Sequence, residues 1–235
     1  MRIAMFTDNF YPELGGIQDS IMASAQALGA AGDEVLIVAP SASARDYARG
    51  GLAAGEPALG PRVAVRRLAA MAVASSTGQS RLALPWGAAA TVARFRPQLV
   101  HTHTFLGAGL AALAAARRLG VPLLGTNHWA VAGFSLYAPV ARQAAGRWAS
   151  RAVAAYYNRC AWSSAPSQHT LEAMRAHGFR GAAGVVSNPI ATGCFHPDGD
   201  RAARKREFGL GAAVIVHAGR LGREKQIDVL IRAVA

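Results

Sequence analysis

Apolar residues in this chain come in short blocks, separated by stretches in which apolar positions recur every third or fourth residue. Residues 2–7 form the first block, closed by Asp8-Asn9. Ile17, Ile21, Ala25 and Leu28 then share one face between Gly15-Gly16 and Gly32, which predicts a helix over 17–30. Residues 34–39 are the next block, ended by Pro40. Strand, helix, strand is the opening unit of a parallel α/β sheet. The rhythm persists, with strands expected over 62–67, 98–101, 121–126, 161–165 and 184–187. Helices are expected over 87–95, 107–119 and 138–159, and from the cap Ser167 to Ala176. The strands are apolar throughout rather than alternating, so the sheet should be doubly wound and covered on both faces.

Two stretches break the rhythm. Residues 41–60 are rich in Ala, Gly and Ser and read as a loop. Residues 71–86 turn polar at Ser75–Ser80 and are expected to carry ligand contacts. After Ser187, Asn188-Pro189, Gly193, Pro197 and Gly199 mark a linker over 188–211. An apolar run over 212–217 then predicts a new strand. It is followed by Gly219-Arg220 and a helix from about Glu224, with Ile227, Leu230, Ile231 and Val234 on one face. The chain stops inside that helix without a stop signal. The expected organisation is therefore an N-terminal Rossmann-like domain over 1–187, a linker over 188–211, and the first strand-helix unit, 212–235, of a truncated second domain.

The 235 residues, 52% hydrophobic and 16% charged, suffice for one sizeable core and part of another, and exclude a disordered chain. The longest apolar stretch, 105–116, is too short to cross a bilayer and ends at Arg117-Arg118. No leader-like segment opens the chain, so a cytoplasmic address is expected. Cys160 and Cys194 have no metal-ligand spacing and exclude a disulfide framework. The net charge is +12, and Lys205 and Lys225 are the only lysines among 25 basic residues. So many arginines fit either a GC-rich coding bias or a surface that meets phosphates or an anionic lipid leaflet. No nucleic-acid module accompanies them, so nucleic acid is not an expected partner.

Four constellations stand where strands end, the edge at which open α/β sheets bind ligands. Asp8-Asn9-Phe10-Tyr11-Pro12 leads into Gly15-Gly16-Ile17-Gln18, where a helix start could receive an oxyanion or simply make a tight turn. His101-Thr102-His103-Thr104 places two histidines on one strand face. A metal chelate is conceivable there, but no third ligand follows at useful spacing, so no metal is expected. One histidine hydrogen-bonding in the cleft while the other packs fits the pattern better. Gly125-Thr126-Asn127-His128 brings a histidine that either lines the cleft, contacting a ligand hydroxyl, or belongs to a surface loop. Gly219-Arg220-Leu221-Gly222-Arg223-Glu224-Lys225 combines two cations with a helix start, a pattern suited to a diphosphate.

Taken in order, "DNFYPELGGIQDSI", "HTHTFLG", "GTNH", "APS" before a helix, "SNPI" and "GRLGREK" resemble the family-4 group of GT-B glycosyltransferases. That group includes phosphatidylinositol mannosyltransferases and diacylglycerol glucosyltransferases, and the resemblance spans nearly the whole chain. It implies a retaining enzyme that moves a sugar from a nucleotide-sugar donor to a sugar or lipid acceptor. No cofactor is implied. Gly15 and Gly16 would meet the donor diphosphate, which Arg220 and Lys225 would neutralise. His128 would touch the reacting sugar, and Asp8, Tyr11 and Gln18 would lie where the acceptor enters. A lipid acceptor would put the protein on the inner face of a membrane, with Arg142, Arg147, Arg151 and Arg159 facing the leaflet. Two departures are visible: Ala191 where the family often has an aspartate, and Gln226 where glycine is common. The alternatives are a GT-B sugar-nucleotide epimerase, whose cleft carboxylates are not found, and a non-catalytic remnant that binds acceptor or membrane. A dinucleotide oxidoreductase is disfavoured because no Gly-x-Gly-x-x-Gly follows the first strand.

Overall fold

The computed structural model describes residues 1–73, 80–128, 142–195, 199–219, 221 and 225–234. The chain divides into two compact units, Met1–Pro189 and Ile190–Ala235.

The first unit is a seven-stranded parallel sheet. Its strands are β1 (Arg2–Phe6), β2 (Glu34–Pro40), β3 (Val63–Leu68), β6 (Leu99–Thr102), β7 (Leu123–Thr126), β8 (Trp162–Ala165) and β9 (Ala183–Val185). The order across the sheet is β3-β2-β1-β6-β7-β8-β9. Winding reverses between β1 and β6, the point at which sheets of this kind open a ligand crevice. The unbroken apolar strands are explained by burial on both faces. Ile3 and Met5 of β1 join a core with Ile21, Ala25, Val35 and Ile37 on one side. Ala4 and Phe6 join Leu36, Val38, Val100 and the alanines of a facing helix on the other.

The helices are α1 (Gly16–Ala30), α2 (Ala44–Arg49), α3 (Ala88–Ala93), α4 (Gly107–Leu119), α5 (Arg142–Tyr157) and α6 (Gln168–Ala176). Helix α2 lies in the stretch expected to be a loop. The missed signal is Ser43-x-x-Asp46, in which the Asp46 carboxylate accepts from the Ser43 backbone N–H at 2.7 Å. The polar stretch 71–86 contributes a two-stranded antiparallel ribbon, β4 (Ala70–Ala72) with β5 (Arg81–Ala83). Expectations that fall on residues 74–79 and 138–141 lie outside the described residues.

Helix α4 packs unusually close because its buried face is alanine and glycine. A Cβ on Gly109 would lie 2.3 Å from the Thr104 carbonyl oxygen, and one on Gly107 would lie 2.5 Å from that of Ala83. Both obstacles are backbone, which cannot step aside. Gly109→Ala is therefore expected to cost about 1–3 kcal/mol by overpacking, read as a Tm lower by several degrees in thermal unfolding. An unchanged Tm would mean that α4 can slide on the sheet.

In the second unit, α7 (Arg201–Glu207) and α8 (Ile227–Val234) are formed. Asp200 caps α7 by accepting from the Ala202 and Ala203 N–H groups, so the expected linker contains a helix. The strand expected over 212–217 is corrected: those residues form no ladder. An apolar run becomes a strand only when a neighbour takes its backbone groups, and no described segment does so. Ile215 and Val216 are accordingly 62% and 80% exposed.

Candidate active site

The carboxyl ends of β1, β6 and β7 bring the first three sequence constellations to one edge of the sheet. Asp8, just past β1, is buried. Its Oδ1 accepts from the Ala83 N–H at 2.9 Å and the Ala108 N–H at 3.0 Å, and its Oδ2 from Thr104 Oγ1 at 3.0 Å. Burial raises its pKa, and these three hydrogen bonds oppose the rise. Asp8 thus ties the ribbon and the start of α4 to the switch point. Tyr11 is half-buried and meets the Tyr47 ring edge-on at 5.8 Å. Asp8 and Tyr11 border a cavity of about 10 Å³, water-sized, walled by Arg67 and Arg81. Arg67 pairs with Glu56 at 2.7 Å and Arg81 with Asp46 at 2.6 Å. A larger groove of about 530 Å³ runs along Glu34, Arg62 and Phe95, at the opposite, amino end of the strands. It lacks the histidines and the glycines, and by chemistry it is not the site.

The start of α1 is exposed at Gly15 and Gly16. Gly15 has φ 170°, extended backbone open to any residue. A Cβ at either glycine would meet nothing within 4 Å. Neither conformation nor packing inside the chain requires glycine here. What two glycines do provide is unobstructed access to helix N–H groups that have no partner within the helix. Gln18, expected on the acceptor side, is buried and caps this end, its Oε1 accepting from the Gly15 N–H at 3.0 Å.

Three histidines form the centre of the edge. His101 Nε2 is 2.8 Å from Thr126 Oγ1, which is 2.7 Å from Ser164 Oγ. Tyr157, fully buried, donates to the Thr126 carbonyl at 2.9 Å. Its ring occupies the space that a Cβ on Gly125 would take, 2.6 Å away. His103 Nδ1 lies 3.0 Å from His128 Nε2. His103 is buried, and His101 and His128 are partly buried. Loss of solvation holds His101 and His128 down at about 4 and His103 well below its ordinary value. All three rings are therefore neutral at pH 7. Among the described residues no group of three ligands is arranged to hold a metal ion.

Asn188 was quoted within a motif but given no role by the sequence. It accepts from Ser20 Oγ of α1 at 3.3 Å, and its approach to the His128 ring partly offsets the drop in that ring's pKa. The approach does not satisfy His128 Nδ1, which is buried and has no partner among the described residues. The signal that could have found Asn188 is its place after the last strand of the sheet, opposite α1.

In the second unit Lys225 is exposed, two residues before α8. A cation at a helix's positive end is unfavourable unless an anion joins it. Arg220 lies outside the described residues. Gln226 adopts φ 48°, a left-handed conformation that glycine takes without cost.

A profile of the family described as Glycosyltransferase Family 4 matches residues 14–193. A GDP-mannose-dependent alpha-mannosyltransferase of Corynebacterium glutamicum is 27% identical over 237 residues, covering 98% of this chain and 54% of that protein. A protein of the same description from Mycolicibacterium smegmatis is 29% identical, covering 98% of this chain and 59% of its own length. The chain thus spans little more than half the length of these relatives. A solved glycosyltransferase from Rickettsia africae has a TM-score of 0.50 at 11% identity, covering 91% of this chain and 50% of that one, a likeness of fold.

Proposed function

Because the chain belongs to Glycosyltransferase Family 4, with a GT-B type α/β fold, we propose that it contributes the acceptor-side unit of a retaining mannosyltransferase. The donor in this reading is GDP-mannose, as the names of the relatives suggest. The observation that carries the reading is the meeting, at one sheet edge, of a glycine-opened helix start and a neutral histidine with an open nitrogen.

The donor diphosphate lies against the Gly15-Gly16 backbone, where N–H groups and the helix dipole favour negative charge. Arg220 and Lys225 take up the charge that grows on the diphosphate as the glycosidic bond breaks. His128 contacts a hydroxyl of the reacting sugar. The acceptor enters past Asp8, Tyr11 and Gln18 and attacks from the face the diphosphate leaves, which retains the anomeric configuration. In the intact enzyme, GDP-[14C]mannose should label product with the α configuration, while UDP-sugars should not serve. Transfer from a UDP-sugar alone, or a β product, would overturn the reading.

A lipid acceptor at the inner membrane face is the second part of the proposal. Among the described residues no helix is long and apolar enough to cross a membrane. Helix α5 presents exposed Arg147 and Arg151 beside Trp148, which is 76% exposed, a mixture that suits an anionic interface. The protein should sediment with vesicles containing phosphatidylserine and not with phosphatidylcholine vesicles, and salt should release it. Equal binding to both at low salt would refute this part.

A further inference from the structure

His103 is 3% exposed and lies between two other imidazoles. The ring centroids stand 4.1 Å from His101 and 5.3 Å from His128, the latter pair inclined by only 20°. Its Nδ1 meets His128 Nε2 at 3.0 Å, an N···N bond that needs one donor and one acceptor. That bond therefore holds a single proton. The two outer nitrogens, His103 Nε2 and His128 Nδ1, are both buried and have no partner among the described residues.

The proton count then fixes the pair. If the shared proton sits on His103 Nδ1, His103 Nε2 is bare and His128 carries its proton on Nδ1. If it sits on His128 Nε2, His128 Nδ1 is bare and His103 carries its proton on Nε2. In both states the two rings are the same tautomer, and one outer nitrogen is a donor while the other is an acceptor. Of the common ligand groups, a hydroxyl can satisfy His128 Nδ1 in either state, because it both donates and accepts.

We propose that His103 is the positioning residue of this site, fixing the plane of the His128 ring and deciding whether His128 Nδ1 meets the ligand hydroxyl with or without a proton. The plane of His103 is set in turn by His101, which is held through Thr126 by Ser164 and Tyr157. The catalytic consequence rests on the assignment of His128 to the donor sugar made above.

The test uses nitrogen-15 NMR of histidine-labelled protein, which reports the protonated nitrogen of each ring. His103→Phe keeps a ring and removes both nitrogens, while His103→Asn returns an amide to the Nδ1 position. Matching tautomers for His103 and His128 are expected in the unsubstituted protein. In His103→Phe the His128 signals should become a mixture of both tautomers. Turnover should fall about 10- to 100-fold, the usual cost of losing an orienting partner, with donor KM little changed, and His103→Asn should restore most of it. Opposite tautomers, or His128 signals indifferent to His103→Phe, would overturn the proposal without any substrate being present. Unchanged turnover in His128→Ala would instead remove the donor assignment on which the catalytic half depends.

Discussion

Alanine in place of Lys225 or of Arg220 is expected to lower turnover of the intact enzyme about a hundredfold, on the order of 3 kcal/mol for one lost charge-stabilising group. Acceptor KM should change little. The reason is differential binding: the diphosphate gains charge only as the bond to the sugar breaks, so its cations matter most in the transition state. Lys225 precedes a helix whose positive end gives it no compensation, and an anion there would relieve the repulsion. Arg220→Lys should recover only part of the loss, since an ammonium cannot make a bidentate contact. Steady-state kinetics, with circular dichroism to confirm folding, decide the matter. Near-normal turnover in both folded alanine variants at saturating substrate would place the diphosphate elsewhere.

The second large effect is on stability in acid. Desolvation holds His101 and His128 at about 4 in the folded protein and His103 well below normal, against roughly 6.5 when unfolded. Below pH 6.5 the unfolded chain therefore binds more protons than the folded one. Stability is full above 6.5 and is lost as pH falls toward 4. Between pH 6.5 and 5 His101 and His128 each cost about 2 kcal/mol, and His103 acts in the same direction, a heavy total against a typical margin of roughly 5–15 kcal/mol. Asp8 acts in the opposite sense, because burial raises its pKa, but it is one group against three. Urea midpoints measured from pH 7.5 to 4.5 should fall steeply below 6.5. A flat profile down to pH 5 would show that the rings are solvated in solution.

Most of the sheet was legible because its strands are unbroken apolar blocks, and the two-sided core accounts for them. Helix α2 was not, because its identity lies in the Ser43–Asp46 cap rather than in an apolar face. The strand expected over 212–217 failed for the converse reason: apolar character supplies a wish for burial, whereas a strand also needs a hydrogen-bonding neighbour. At the site, spacing put His101 and His103 on one strand face, yet only the fold could bring His128 to His103. The use of Asp8 as an anchor, with all three partners 75 to 100 residues away along the chain, has no local signature. One departure from the family pattern acquired a physical meaning. Gln226 stands where glycine is common and adopts the conformation that glycine favours.

The open space around Gly15 and Gly16 bears on how this protein can be engineered or can drift. Alanine at Gly16 would clash with nothing and would narrow the freedom of the unfolded chain, a gain of roughly 0.5–1 kcal/mol. Selection for heat resistance alone would therefore erase Gly16 early and record the change as an improvement. Persistence of Gly16 under such pressure would measure, in units of forgone stability, how much the organism needs what binds there.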